Sequence, residues 1–406
     1  MDSPDRAQPP HPPAKVPLPR EIWVLVSAAL VIALGFGLIA PILPQYAASF
    51  DVGLAAASAI VTVFSLTRMA FAPAAGQLIA RFGERWMYLA GLAVVAASSF
   101  LCAAAQGYVD LLVWRALGGI GSVTFTVSSM GLIVRLAPPS ARGRTSALYG
   151  SAFLLGNVTG PLLGTALAVF GYRVAFATYG VAVVVALLLV AVFLGSPAPR
   201  STSTDARPQV LLSDVLGLRE YRSLLATAFA NGWANFGVRI ALIPLMASNI
   251  PSIGAPFAGL ALTVFALGNV TGQQFSGRLV DAKGRRPVLM TGLLVAGVAT
   301  VVFGWASTVP VFLALSALAG LGASMVQPAS QAMLADIVGS DRNGGQALST
   351  YSMATDLGSI TGTLTAGVIA DLFGFGWAFA LTGLVLLGAI FTWIGGTPRR
   401  PRPLRG

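Results

Sequence analysis

Four ionisable side chains lie well inside long apolar runs of this 406-residue chain: Arg68, Arg115, Arg239 and Asp356. A charge facing hydrocarbon costs from about 3 to more than 10 kcal/mol, so each of them needs a cavity, a partner or a change of protonation state. Asp356 is the only carboxylate in such a position. A buried acid that must either pair or take up a proton is the chemistry of proton coupling. Counting about 1.5 Å per helical residue, Asp356 and Arg68 lie roughly 16 and 12 Å from one edge of their runs. Arg115 lies about 10 Å from the opposite edge, where two readings are open: a cavity-facing cation, or a long side chain snorkelling to the interface.

Neutral polar groups form the second set. Asn231, Asn235 and Arg239 recur every four residues, Gln327 and Gln331 flank Pro328, and Asn269 precedes Gln273 by one turn. Such spacing puts each set on one helix face. A substrate-binding surface and ordinary interhelical hydrogen bonding both explain it. Phe36 and Trp233 offer rings for lipophilic ligands or simple packing bulk. Enzyme chemistry is not expected: the chain has no Walker loop, HExxH or Gly-rich nucleotide fingerprint, and its sole histidine, His11, is in the N-terminal tail. One cysteine, Cys102, rules out a disulfide framework or a Cys-based metal site. No catalytic residue, metal or cofactor is assigned.

Twelve apolar blocks position these residues. Only 10% of the chain is charged while 56% is hydrophobic, and blocks of about 20 residues match a hydrocarbon layer roughly 30 Å thick. The spans are expected near 21–44, 54–75, 86–106, 109–134, 145–168, 173–195, 222–248, 256–276, 287–307, 309–335, 345–370 and 375–396. This gives an all-α polytopic membrane protein. Residues 1–20 form a Pro-rich disordered tail, 21–195 one six-helix bundle, 196–221 a linker, 222–396 a second bundle and 397–406 a basic tail. The start of the linker is polar, and 210–222 is expected to hold a short surface helix. The first run is span-length and reads as a retained anchor helix.

A net charge of +11 raises the question of nucleic acid, but its distribution answers it. Arginines cluster in both tails and in alternate gaps, around 81–85, 135–144, 200–222, 278–286 and 342. By the positive-inside rule those gaps and both termini face the cytoplasm of a cell membrane, and the basic charge serves topology and not nucleic-acid binding.

The two bundles are copies of one another. Gly76, Leu78, Gly83 and Arg85 recur 201 residues later as Gly277, Leu279, Gly284 and Arg286. Gly119 and Gly121 recur as Gly320 and Gly322, and Gly156 and Gly160 as Gly358 and Gly362. Six spans per copy make parallel repeats about an axis along the membrane normal, an arrangement that permits alternating access around a site at their junction.

Three motifs make the chain resemble the major facilitator superfamily over nearly its whole length, and within it the twelve-span drug/proton antiporters. The first is the G-x-L-a-D-r-x-G-r-r loop after the second span of each copy. The second copy keeps Gly277, Asp281, Gly284, Arg285 and Arg286, whereas the first has Gly76, Gly83 and Arg85 but Ala80 in place of the acid. A plain positive-inside turn is the alternative reading of this gating loop. The second motif is Arg115 followed by Gly119 and Gly121. The third is Gly156-x-x-x-Gly160-Pro161-x-x-Gly164, with Thr165 in place of a final glycine; generic small-residue packing also accounts for it.

The resemblance implies proton-coupled export of a small amphiphilic molecule by a monomer in the lipid bilayer, with Arg115, Asp356 and Arg68 in proton coupling. It implies that spans 1, 4, 7 and 10 surround the cavity, making Asn231, Asn235, Arg239, Gln327, Gln331 and Phe36 its substrate-binding candidates. Spans 2 and 11 would face each other, so Arg68 and Asp356 are candidate partners, as a coupling pair or a static bridge. The alternative is a proton symporter importing a sugar or organic acid.

Overall fold

A computed structural model of the chain describes residues 18–136, 142–194, 212–338 and 345–394. In lipid only helices or closed barrels satisfy the backbone, and the described residues are helical with no strand. Span 1 is Arg20–Ile39, continued by the short helix Leu43–Ala48. The single helix expected to 44 is broken because Pro41 and Pro44 each lack an amide donor. Spans 2 to 6 are Leu54–Phe82, Glu84–Ala103, Tyr108–Leu136, Arg142–Ala168 and Tyr172–Phe193. The second half begins with a short helix, Leu212–Gly217, within the segment expected to carry one. Residues 1–17, 195–211 and 395–406, which hold most of both tails and the linker, lie outside the described residues.

Span 7 departs most from expectation. It runs as Arg219–Asn231, then a π-helical stretch Gly232–Val238, then Arg239–Asn249. Gly232 and Gly237 bracket the wide turn. A Cβ on Gly232 would sit 1.9 Å from the Thr355 carbonyl oxygen of span 11, so this segment is pressed against its neighbour's backbone. Spans 8 to 12 are Phe257–Lys283, Arg285–Phe303, Val309–Val338, Gly345–Phe373 and Phe375–Trp393.

Nine of these helices are long and apolar enough to cross a membrane. The other three spans, 7, 8 and 11, are the one broken by the π-turn and the two that carry Asn269, Gln273 and Asp356. The neutral amides singled out by their spacing thus all lie in the second half, while the buried charges are split two and two. Large apolar side chains such as Val192, Phe193 and Phe391 are more than half exposed, as an outer wall facing acyl chains requires.

Spans 2 and 8 run past their expected ends, to Phe82 and Lys283, and stop at Gly83 (φ 85°) and Gly284 (φ 84°). A positive φ is nearly free for glycine and strained for other residues, which is why the loop motif ends the helix there in both copies. Asp281 therefore sits in the last turn of span 8. The side chains of Ala80 and Asp281, with Gly277, lie outside the described set.

The third motif builds the wall of the first half. Gly156, Gly160 and Gly164 lie against span 1, where added Cβ atoms would fall 2.5 Å from Leu34 N, 2.6 Å from Leu34 O and 2.0 Å from Leu38 O. Span 11 repeats the contact on span 7: a Cβ on Gly358 would fall 2.0 Å from Phe229 O, and one on Gly362 would strike Trp233. Close backbone approach is what small residues supply in membranes.

Candidate functional site

The end at which span 1 begins and span 12 ends is the basic end, and the opposite one the far end. At the far end the halves are tied together. Gln45 Nε2 donates to the Pro244 carbonyl at 3.2 Å. Asp371, closing span 11, accepts from the Leu54 and Ala55 amides at 2.8 Å each. Those amides are among the free donors that open span 2, so the carboxylate caps a helix of the other half and meets the positive end of its dipole. Below this, Ser58 Oγ, which donates to Ala55 O at 2.8 Å, also approaches Thr363 O of span 11 at 3.4 Å. A Cβ on Gly259 of span 8 would lie 1.8 Å from Thr165 Oγ1 and 2.4 Å from Pro161 O of span 5. Pro161 and Thr165 thus serve the half-to-half contact as well as the wall of their own half.

At the basic end the loop-motif arginines bond inside their own halves. Arg85 Nη2 donates to Ala191 O at 3.1 Å, and its copy Arg286 donates to Trp393 O. Each arginine caps the last turn of the sixth span of its bundle, where carbonyls lack helical partners. Arg285 pairs with Asp336 and donates to Ala332 O at 2.8 Å, both in span 10. A Cβ on Gly76 would meet nothing within 4 Å, so this motif glycine touches no neighbouring helix in this conformation.

The buried charges lie between the two ends. Arg115 is 7% exposed, its guanidinium 4.1 Å from the centroid of Phe64, and its Nε is sealed from solvent with no hydrogen-bond partner. That burial argues against the snorkelling reading. Arg68 approaches the same ring at 5.8 Å and donates to Ser122 Oγ of span 4 at 2.6 Å. Arg68 and Asp356 lie on spans 2 and 11, which pack against each other across the half boundary. No ion pair joins them among the described residues, so in this conformation Arg68 is held by Ser122 of its own half.

Arg239 is 4% exposed and lies 4.0 Å from the centroid of Phe265 in span 8. Its Nε donates to Asn235 Oδ1 at 3.2 Å, while Asn235 Nδ2 donates to Asn231 Oδ1 at 2.8 Å. The expected stripe on span 7 is therefore a connected ladder, bent by the π-turn. Gln327 and Gln331 stand exposed on span 10 and Phe36 is half-buried, 6.3 Å from Phe64. Trp233 is spent on packing, with Nε1 donating to Thr382 Oγ1 at 3.3 Å. Gln273 donates to Asn269 at 2.6 Å, an ordinary bond within span 8.

Sequence reasoning passed over Phe64 and Phe265, the rings on which the arginines rest. Their separation is 265 − 64 = 201, the offset of the loop motif, and that offset was the available signal. An arginine over a ring face gains about 0.5–2 kcal/mol, more when desolvated. Asp371 was also missed as a contact, since only the packed fold places it at the start of span 2.

Known proteins fit this architecture. The family model for the Major Facilitator Superfamily matches residues 25–250 and again 224–406. Quinolone resistance protein NorA of Staphylococcus aureus (strain MRSA252) is 24% identical over 389 residues, covering 92% of this chain and 96% of that protein. Multidrug efflux protein YfmO of Bacillus subtilis (strain 168) is 27% identical over 227 residues, 55% of each chain. Among solved structures, a D-xylose-proton symporter superposes with a TM-score of 0.74 at 18% identity, covering 92% of this chain and 96% of that one. With a twelve-span fold of two six-helix bundles and a match along both, the chain belongs to the Major Facilitator Superfamily of transporters and within it resembles the drug/proton antiporters.

Proposed function

We propose that the chain exports a small amphiphilic molecule from the cytoplasm by proton antiport with alternating access. Asp356 carries this reading. It is the only carboxylate well inside a span, and its span 11 packs against Arg68's span 2 across the half boundary with no ion pair between the two among the described residues. Protonated, it leaves Arg68 to Ser122. Ionised, it draws Arg68 across the boundary, so one proton changes what joins the halves. Arg115 shares Phe64 with Arg68 and sets the field in which Arg68 moves.

Asn231, Asn235, Arg239, Gln327, Gln331 and Phe36 line the substrate path, which is entered from the basic end, cytoplasmic by its arginines. The protein works as a monomer in the cell membrane. The names of the two efflux relatives support export. The symporter shows that the fold alone does not choose direction.

Accumulation of a fluoroquinolone and of a lipophilic dye in an efflux-deficient bacterial host tests the reading. Expression should lower accumulation of at least one, and a protonophore should restore it. Raised accumulation on expression would favour import by symport. Asp356→Asn and Arg68→Gln should each abolish the proton-driven component, with the double variant better tolerated in folded yield than either single change.

A further inference from the structure

Charge inside the spans does not balance. Three arginines, Arg68, Arg115 and Arg239, stand against the single acid Asp356, which sits on span 11 where it packs against Arg68's span 2. Arg239 has no such counter-charge among the described residues. It is nonetheless 96% buried, in a setting where an unpaired cation is among the most costly groups a membrane protein can hold.

Its surroundings orient the guanidinium without neutralising it. Phe265 covers one face at 4.0 Å, and Asn235 Oδ1 accepts from Nε at 3.2 Å. Asn235 is itself fixed by Asn231, whose Oδ1 takes its amide proton, so the carbonyl end of Asn235 points at the arginine. Of the five N–H donors of a guanidinium, the remaining four find no acceptor among the described residues. The π-turn Gly232–Val238 ends one residue before Arg239, and such turns recur at ligand sites because they break helix regularity. Counted from Asn249, Arg239 lies about 15 Å in from the far end. That is a few residues below the Gln45–Pro244 bond closing the far end.

A cation held on edge by an amide and a ring, with its terminal donors unused, is built to receive a planar anion. We infer that Arg239 binds the anionic head group of the transported amphiphile, so the substrates are carboxylates or related organic anions, with Asn235 and Phe265 as positioning residues. This rests on the export reading and adds the charge of the cargo. Two parallel N–H bonds to one carboxylate need the arginine fork, so lysine should replace it poorly.

The test uses two fluorescent probes with the same apolar body: a dansylated undecanoic acid and the matching dansylated undecyl ammonium. Binding to the detergent-purified full chain is measured at neutral pH by tryptophan-to-dansyl energy transfer. The wild type should bind the carboxylate at least ~10-fold more tightly than the ammonium, the scale of one hydrogen-bonded charge contact. Arg239→Gln should erase that preference without weakening ammonium binding, Arg239→Lys should restore only part of it, and Asn235→Ala should reduce it to a lesser degree. Equal binding of both probes by the wild type, tighter binding of the ammonium, or a preference surviving Arg239→Gln overturns the inference and leaves amphiphile export standing. Failure of the wild type to bind either probe overturns both. Because the wild-type comparison involves no substitution, a variant that folds poorly does not remove the test.

Discussion

The two ends of this molecule are held by different kinds of bond. At the far end the contacts cross between the halves: Asp371 caps span 2, Gln45 reaches Pro244, and Gly259 lies against Thr165. At the basic end the motif arginines bind inside their own bundles, Arg85 to Ala191 and Arg286 to Trp393. The far end therefore joins the halves, while the basic-end loops brace each half as a rigid unit. Rocking between two rigid units needs this division, because a strong tie at both ends at once would leave no second state of similar energy.

Forcing the far end apart should have the largest effect. Gly259→Val places side-chain atoms where Thr165 and Pro161 already sit, and overpacking of this kind costs about 1–3 kcal/mol, up to roughly 100-fold in population. Spin labels at Val109 and Val311, exposed positions that open spans 4 and 10, should move apart in this variant, and transport should fall steeply. Cys102 is fully buried, so it should not compete for the label. An unchanged distance would mean that spans 5 and 8 do not govern closure.

Asp371→Ala should come next. Two bonds from backbone amides to a charged acceptor are lost, but the site is exposed and water replaces them in part, so about 1 kcal/mol, or a fivefold shift toward an open far end, is expected. Asp371→Asn should retain part of the cap and shift less. If neither alters the Val109–Val311 distance, the cap does not help to hold the halves.

The smallest change is expected at the opposite end. Ala80→Asp restores the acid that the first loop lacks, and a carboxylate meeting a helix N-terminus contributes about 0.3–1 kcal/mol. It should favour closure of the basic end, shortening the distance between labels at Phe82 and Lys283, and should add to Asp371→Ala in a double variant, because both favour the state with the far end open. No response there would reduce the first loop to a structural turn.

Much of this was legible in the sequence, because span length, the 201-residue repeat and the glycine face of span 5 are local patterns. Gly83 and Gly284 could be read as paired because both copies demand the same positive φ. What stayed hidden depends on packing between distant segments. The resemblance assigned Arg85 and Arg286 to gating, yet sequence gave no hint that they cap spans 6 and 12. The π-turn in span 7 follows from pressure by span 11 on Gly232, and the rings under Arg115 and Arg239 come from neighbouring spans.

The central claim is that the two ends open in turn, and both label pairs measured in reconstituted protein test it most directly. With the far-end pair at Val109 and Val311 short, the basic-end pair at Phe82 and Lys283 should be long. Substrate together with a change of pH should exchange the two distributions in opposite directions. Ends that widen and narrow together, or a basic-end distance that stays fixed while the far end opens, would contradict the account.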